Sequence, residues 1–308
     1  MQKSLGTAVA TGAALVGFAV FACTESISAA AQQRVATETP AGPIPHTAWD
    51  GKPDLTGVWG PATTGESPNQ DARQASSQER SASLKELDRL FQPWAREKTN
   101  ALGYLDDPRL HCGPYGFPRY VNLPDYFLLQ IVQAPKETLV LVEYIYSGFR
   151  LIPTDGSTHP KTIVPSYFGD SVGRWEGDTL VVDVTGFNGK IWLESGGGGG
   201  RPDAPQTTPN ERGRNVFLTK QPQAAPSPQG GAWMTSDALH EVERWRLLDA
   251  DTLEYQATVE DAKVLTGPWT TPKYLFKRAP ADIMPHEALC LKPEDLVHMK
   301  AAAEAEKK

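Results

Sequence analysis

The run Leu239-His240-Glu241-Val242-Glu243-Arg244-Trp245-Arg246-Leu247-Leu248, followed by Asp249-Ala250-Asp251 and then Thr252-Leu253-Glu254-Tyr255-Gln256-Ala257-Thr258-Val259-Glu260, decides the fold. Two long runs rich in β-branched and aromatic residues flank a three-residue polar connector, which is the pattern of a β-hairpin. Arg174 to Val184 repeats it around Glu176-Gly177-Asp178. Further extended runs are Tyr126 to Ala134, Thr138 to Tyr146, Gly148 to Pro153 and Lys273 to Lys277, with Asp54-Leu55-Thr56-Gly57-Val58-Trp59 as a first strand. Thr138–Tyr146 and Leu180–Val184 carry apolar residues on both faces, which predicts a closed antiparallel barrel rather than an open sheet. The expected class is therefore mainly β, an antiparallel lipocalin/calycin-like barrel.

One amphipathic helix is expected before the strands. Ser83-Leu84-Lys85-Glu86 reads as its capping box, Leu84, Leu87, Leu90, Phe91 and Trp94 share its apolar face, and Pro93 kinks or ends it. Composition agrees with a turn-rich β protein. The 27 Gly and 26 Pro make about one residue in six, against roughly 12% in average usage. With 30 Lys+Arg against 37 Asp+Glu the net charge is −7, which excludes a general nucleic-acid binder. At 40% hydrophobic and 22% charged residues, the chain is neither disordered by composition nor an integral membrane protein.

Residues 1–31 read as a secretory signal peptide: Lys3 at its start, an apolar core from Ala8 to Ala22, and Ala29-Ala30-Ala31 at the cleavage point. The alternative is a lipid anchor on Cys23. A flexible linker, 32–53, leads into a single barrel-like domain, 54–300, and the expected location is periplasmic or secreted. Residues 196–231, with 8 Gly and 6 Pro, form a long inserted loop. In an oxidising compartment Cys112 and Cys290 are most simply a disulfide, and the alternative is two buried thiols.

The stretch Gly169-Asp170-Ser171-Val172-Gly173-Arg174-Trp175-Glu176-Gly177-Asp178-Thr179-Leu180-Val181-Val182-Asp183 resembles a widespread family of exported bacterial proteins. Gly57-Val58-Trp59, Cys112-x-Pro114-x-Gly116-x-Pro118-Arg119 and Arg150-x-x-x-x-Asp155-Gly156-x-x-His159-Pro160 extend the likeness. So do Gly186-Phe187-Asn188, Leu239-His240-x-x-Glu243-Arg244 and Gly267-Pro268-Trp269-Thr270. It implies export and carries no catalytic residue over. The Gly57-x-Trp59 start is similar to the opening of lipocalin-like barrels, which implies that Trp59 closes the barrel floor.

The six histidines form no His-Glu-x-x-His or His-x-His pair and no Cys-x-x-Cys occurs, so neither a metal nor a cofactor is expected. Acid/base groups remain. His159, extended before Pro160 at a loop edge, suits a general acid or base near neutral pH. Strand alternation puts His240 and Arg244 on one face and Glu243 and Trp245 on the other, so an ionisable group enters the barrel in either orientation. Inward Glu243 would need a raised pKa or a cation partner. Asp170 and Glu260 sit at strand ends, where acidic groups crown a barrel mouth or cap turns. Arg150, Trp175, Asn188, Trp192 and Trp269 are candidate ligand contacts. The leading expectation is an enzyme that takes a small apolar or aromatic molecule into the barrel and performs metal-independent acid/base chemistry, as a lyase, isomerase or hydrolase. The alternative is a non-catalytic envelope protein that binds a small hydrophobic ligand.

Overall fold

A computed structural model describes residues 42–61, 70–102, 106–121, 128–143, 148–195 and 232–285, all within the compact unit Pro40–Lys308. The expected signal peptide, the Gly-rich insert and Cys290 lie outside the described residues.

Nine strands build a nearly closed antiparallel barrel. They are β1 (Gly57–Pro61), β2 (Leu129–Ala134), β3 (Glu137–Val142), β4 (Gly148–Pro153), β5 (Asp170–Glu176), β6 (Thr179–Thr185), β9 (Leu239–Asp249), β10 (Thr252–Asp261) and β12 (Tyr274–Arg278), in spatial order β4-β3-β2-β1-β12-β10-β9-β6-β5. A short β11 (Trp269–Thr270) adds to β10. β7 (Trp192–Ser195) and β8 (Ala232–Met234) pair separately, so the two ends of the insert are joined as an antiparallel ribbon.

Both expected hairpins form. β5 and β6 meet from Asp170↔Thr185 to Glu176↔Thr179, and their two-residue turn needs Gly177 at φ +61, a left-handed conformation that costs a side-chain-bearing residue. β9 and β10 run in register from Leu247↔Leu253 to Leu239↔Asp261. Edge strands β4 and β5 meet through side chains: Arg150 Nη2 donates to Ser171 Oγ at 3.1 Å. A Cβ on Gly173 would lie 2.8 Å from Ile152 Cγ2, so a side chain at 173 would force its neighbours at the seam to shift.

Alternation along β9 settles which face is inside. Glu241, Glu243, Trp245 and Leu247 are buried, whereas Arg244, Arg246 and Leu248 are exposed. Leu180, Val182 and Val184 of β6 and Leu253, Tyr255, Ala257 and Val259 of β10 share the interior. On β3 the two-sided burial is weaker than expected, because Val140 and Val142 are buried while Leu139 and Leu141 are only partly covered.

The interior is filled. The segment 113–121 buries Tyr115, Phe117, Arg119, Tyr120 and Val121. The Phe117 ring lies 6.2 Å from Trp245 and 6.4 Å from Tyr255, and the Arg150 guanidinium sits 4.4 Å from its centroid. Arg119, also buried, is held by Asp107 through Nη1–Oδ1 at 2.9 Å and Nη2–Oδ2 at 2.5 Å. Trp59 is fully buried, donates Nε1 to Leu55 O at 2.9 Å, and is covered by Arg278 4.3 Å from its ring.

The expected single helix is two. α1 (Gln70–Leu90) begins well before Ser83, and α2 (Pro93–Ala101) follows. Ser83 therefore lies inside α1, where its Oγ and carbonyl accept from Trp269 Nε1 at 3.1 and 3.2 Å. The preceding Gln, Ala, Arg and Glu residues are good helix formers that carry the helix upstream despite their polarity. Pro93 takes the first position of α2, where its missing N–H costs nothing. Leu87 and Phe91 are buried, but Trp94 is 49% exposed.

Candidate acid–base site

On the outer face of β5, β6, β9 and β10, imidazoles and carboxylates alternate in an unbroken chain. β4 ends at Pro153, an Asx-type turn follows in which Ser157 N donates to Asp155 Oδ1 at 3.0 Å, and the chain then passes outside any regular element through His159-Pro160. That path lays the His159 ring over β5 and β6. Its Nδ1 is 2.5 Å from Asp170 Oδ1 and its Nε2 is 2.9 Å from Asp183 Oδ1. The other oxygen of Asp183, Oδ2, accepts from His240 Nε2 at 3.2 Å. His240 Nδ1 faces Glu260 Oε2 at 3.5 Å. The strand pairing explains the convergence, since Asp183 is opposite Val242 and Glu260 is opposite His240.

Both ring nitrogens of His159 meet carboxylate oxygens, and an imidazole can donate from both only when it carries a proton on each. Partial burial opposes that charge, but the hydrogen bonds to Asp170 and Asp183 outweigh it and raise the His159 pKa above its ordinary value. Partial burial likewise works to raise Asp183, and the two histidines overcome it and pull its pKa down. The chain opens toward solvent at one end: the His159 side chain is 24% exposed, His240 36% and Glu260 59%.

Inside the barrel is a second polar group. Arg150 clasps Glu243 through Nη1–Oε1 at 2.9 Å and Nη2–Oε2 at 3.0 Å. Tyr255 OH and Trp245 Nε1 add donors to the same carboxylate at 3.1 and 3.2 Å. Glu243 thus has the cation partner that an inward orientation requires. Next to it, Glu241 is fully buried and neither of its oxygens has a hydrogen-bond partner. Burial, with the nearby Glu243 charge added, pushes its carboxyl well above the usual range although Arg150 counteracts this.

The residues singled out from the sequence therefore divide. His159, Asp170, His240 and Glu260 come together on the outer face, while Glu243 and Arg150 pair inside. Arg244 points outward two residue pairs along β9 and gives its Nη1 to Glu176 Oε2 at 3.1 Å. Trp175 is partly buried against the core, and Trp192 and Trp269 are buried within it. Asn188 Oδ1 accepts from Lys190 N at 3.0 Å and shapes a turn. Cys112 follows a 3₁₀ turn (Pro108–His111) with φ +63. Sequence reasoning missed Asp183, the hub of the outer chain; its signal is a lone carboxylate within Leu180-Val181-Val182-Asp183-Val184. It also missed Glu241, which strand parity places beside Glu243.

Among the described residues no His, Cys, Asp and Glu groups are arranged to hold a metal ion, and no helix is long and apolar enough to cross a membrane. Fold and site together define a filled antiparallel barrel with an imidazole–carboxylate chain on its wall. No family model matches the chain, and neither a curated protein nor a solved structure matches it.

Proposed function

We propose that the protein is an exported enzyme that performs acid–base chemistry on a small, largely apolar or aromatic substrate, as a lyase, isomerase or hydrolase, and that the reaction takes place on the outer wall of the barrel. The observation that carries this reading is the continuous chain Asp170–His159–Asp183–His240–Glu260. His240 is the group that would meet the substrate, because Asp183 orients it through Nε2 and its side chain, 36% exposed, reaches solvent beside Glu260. Asp183 acts as the positioning residue, fixing the tautomer of His240, and His159 holds Asp183 in place from behind. The filled interior supports placing the substrate outside, since Phe117 and Arg150 occupy the space in which a lipocalin-type ligand would sit.

The test is a turnover screen of the full chain against p-nitrophenyl esters, β-hydroxy carboxylates and β,γ-unsaturated ketones, which sample hydrolysis, elimination and isomerisation. One class should be turned over, and His240→Ala should reduce that rate by about 10²- to 10⁴-fold, the usual contribution of a general acid or base, with unchanged circular dichroism. Absence of turnover across all three classes, or full turnover by His240→Ala, overturns the proposal.

A further inference from the structure

Two rows along the same sheet face, the chemistry reverses from carboxylate and imidazole to cation. Outward positions pair as Arg174↔Val181 and Val181↔Arg244, then as Thr179↔Arg246 and Arg246↔Glu254. Thr179, Arg244, Arg246, Glu254, Gln256 and Lys273 line a groove of about 150 Å³. Two carboxylates serve its cations. Glu254 accepts from Arg246 Nη2 at 3.0 Å and lies 3.3 Å from Lys273 Nζ, while Glu176 accepts from Arg174 and Arg244. Glu254 is only 15% exposed, whereas Arg246 is 45% and Lys273 56% exposed. The carboxylate thus forms the floor and the cationic heads form the rim, with Arg244, Arg246 and Lys273 lining the groove against the one lining carboxylate, Glu254, in a chain whose net charge is −7. Each arginine of the groove gives only one nitrogen to its glutamate, so each guanidinium keeps further N–H donors.

We infer that this groove binds the anionic end of the substrate, so that the molecule acted on is an organic anion, a carboxylate or phosphate ester with an apolar or aromatic body. This rests on the acid–base reading of His240. Arg244 follows His240 by four steps of extended strand, about 14 Å at ~3.4 Å per residue. The outward side chain between them on β9 is Val242, which is partly exposed and can face an aromatic or aliphatic body, whereas Val181, opposite Arg244, is fully buried. An anion held by forked guanidinium donors fixes orientation as well as affinity.

The test is calorimetric titration of the full chain with phenyl phosphate and with benzoate at low ionic strength, with phenol as the neutral control. Both anions should saturate, phenol should bind at least tenfold more weakly, and added salt should weaken both anions. Arg244→Gln combined with Arg246→Gln should lower anion affinity at least tenfold, and Thr179→Glu, which sets a carboxylate in the groove, should do the same. His240→Ala should leave affinity within twofold. If only one anion saturates, the inference stands for that class. Equal binding of phenol, undiminished affinity in the groove variants, or no saturable binding overturns the groove. Any of these leaves the dependence of turnover on His240 to be judged separately, and saturable anion binding without turnover overturns only the acid–base reading.

Discussion

Asp183 Oδ2 accepts from His240 Nε2 across 3.2 Å while the other oxygen of the same carboxylate is taken by His159. One aspartate therefore orients one imidazole and is itself held by a second. The arrangement is a property of β6 and β9 lying side by side, with Asp183 opposite Val242, two residues from His240.

The His159 charge is the first consequence that can be measured. Its carbon-bound ring proton should titrate with a midpoint above the ordinary value of about 6.5, and Asp183→Asn should lower that midpoint. Because the folded-state pKa is raised, the stability from these contacts is fully present below the unfolded-state value and is lost as pH rises through the folded-state value. Urea unfolding from pH 5 to 9 should show the wild type losing this increment and His159→Gln lacking it. A His159 midpoint at or below the ordinary value contradicts the proposed clamp.

Glu243→Gln should be among the most destabilising single changes in the barrel. It removes the charge opposite a fully buried Arg150, and breaking a buried pair from one side costs about 3–5 kcal/mol. Replacing both partners, as Arg150→Met with Glu243→Leu, should recover a large part of that loss. A urea midpoint little changed in Glu243→Gln would mean that Arg150 finds another partner.

Glu241 has the opposite sign. Its folded-state pKa is raised, so its contribution favours the fold below the unfolded-state value, about 4.3, and falls by up to about 1.4 kcal/mol per pH unit as pH rises toward the folded-state value. Glu241→Gln keeps the shape and removes the titration. The variant should gain stability over the wild type at pH 8 and gain much less at pH 5. An equal difference at both pH values contradicts a protonated Glu241.

The barrel was legible because two hairpins announce themselves locally. β9–β10 and β5–β6 are long, strongly extended runs around short polar turns, and strand parity alone put Glu243 on the same side as Trp245. The interior was not legible. Segment 113–121 has no periodicity, and nothing local says that Phe117 will reach Trp245 and Tyr255 from the outside of the sheet order. The site was half legible: His159, Asp170, His240 and Glu260 stand out as polar groups near strand ends, but which of them meet depends on register between β6 and β9, a pairing across the whole insert. Asp183 was hidden for that reason. Helix α1 shows the limit of a motif, because a Ser-x-x-Glu pattern looks the same at a helix start and inside a polar helix.

Cys112 and Cys290 should be recovered as one cross-linked pair when the unreduced chain, secreted to an oxidising compartment, is digested and its peptides are weighed. Chain-entropy reasoning puts the stabilisation from so long a loop at no more than about 5 kcal/mol. Two separate free-thiol peptides contradict the pairing.

The most direct test of the catalytic wall is a double-mutant cycle on turnover with His240→Ala, Asp183→Asn and both together. Groups that act as one unit lose no more when both are removed than when the more important one is. The double variant should therefore turn over at the rate of His240→Ala alone, whereas losses that multiply, or an Asp183→Asn variant as fast as the wild type, would contradict a coupled Asp183–His240 site.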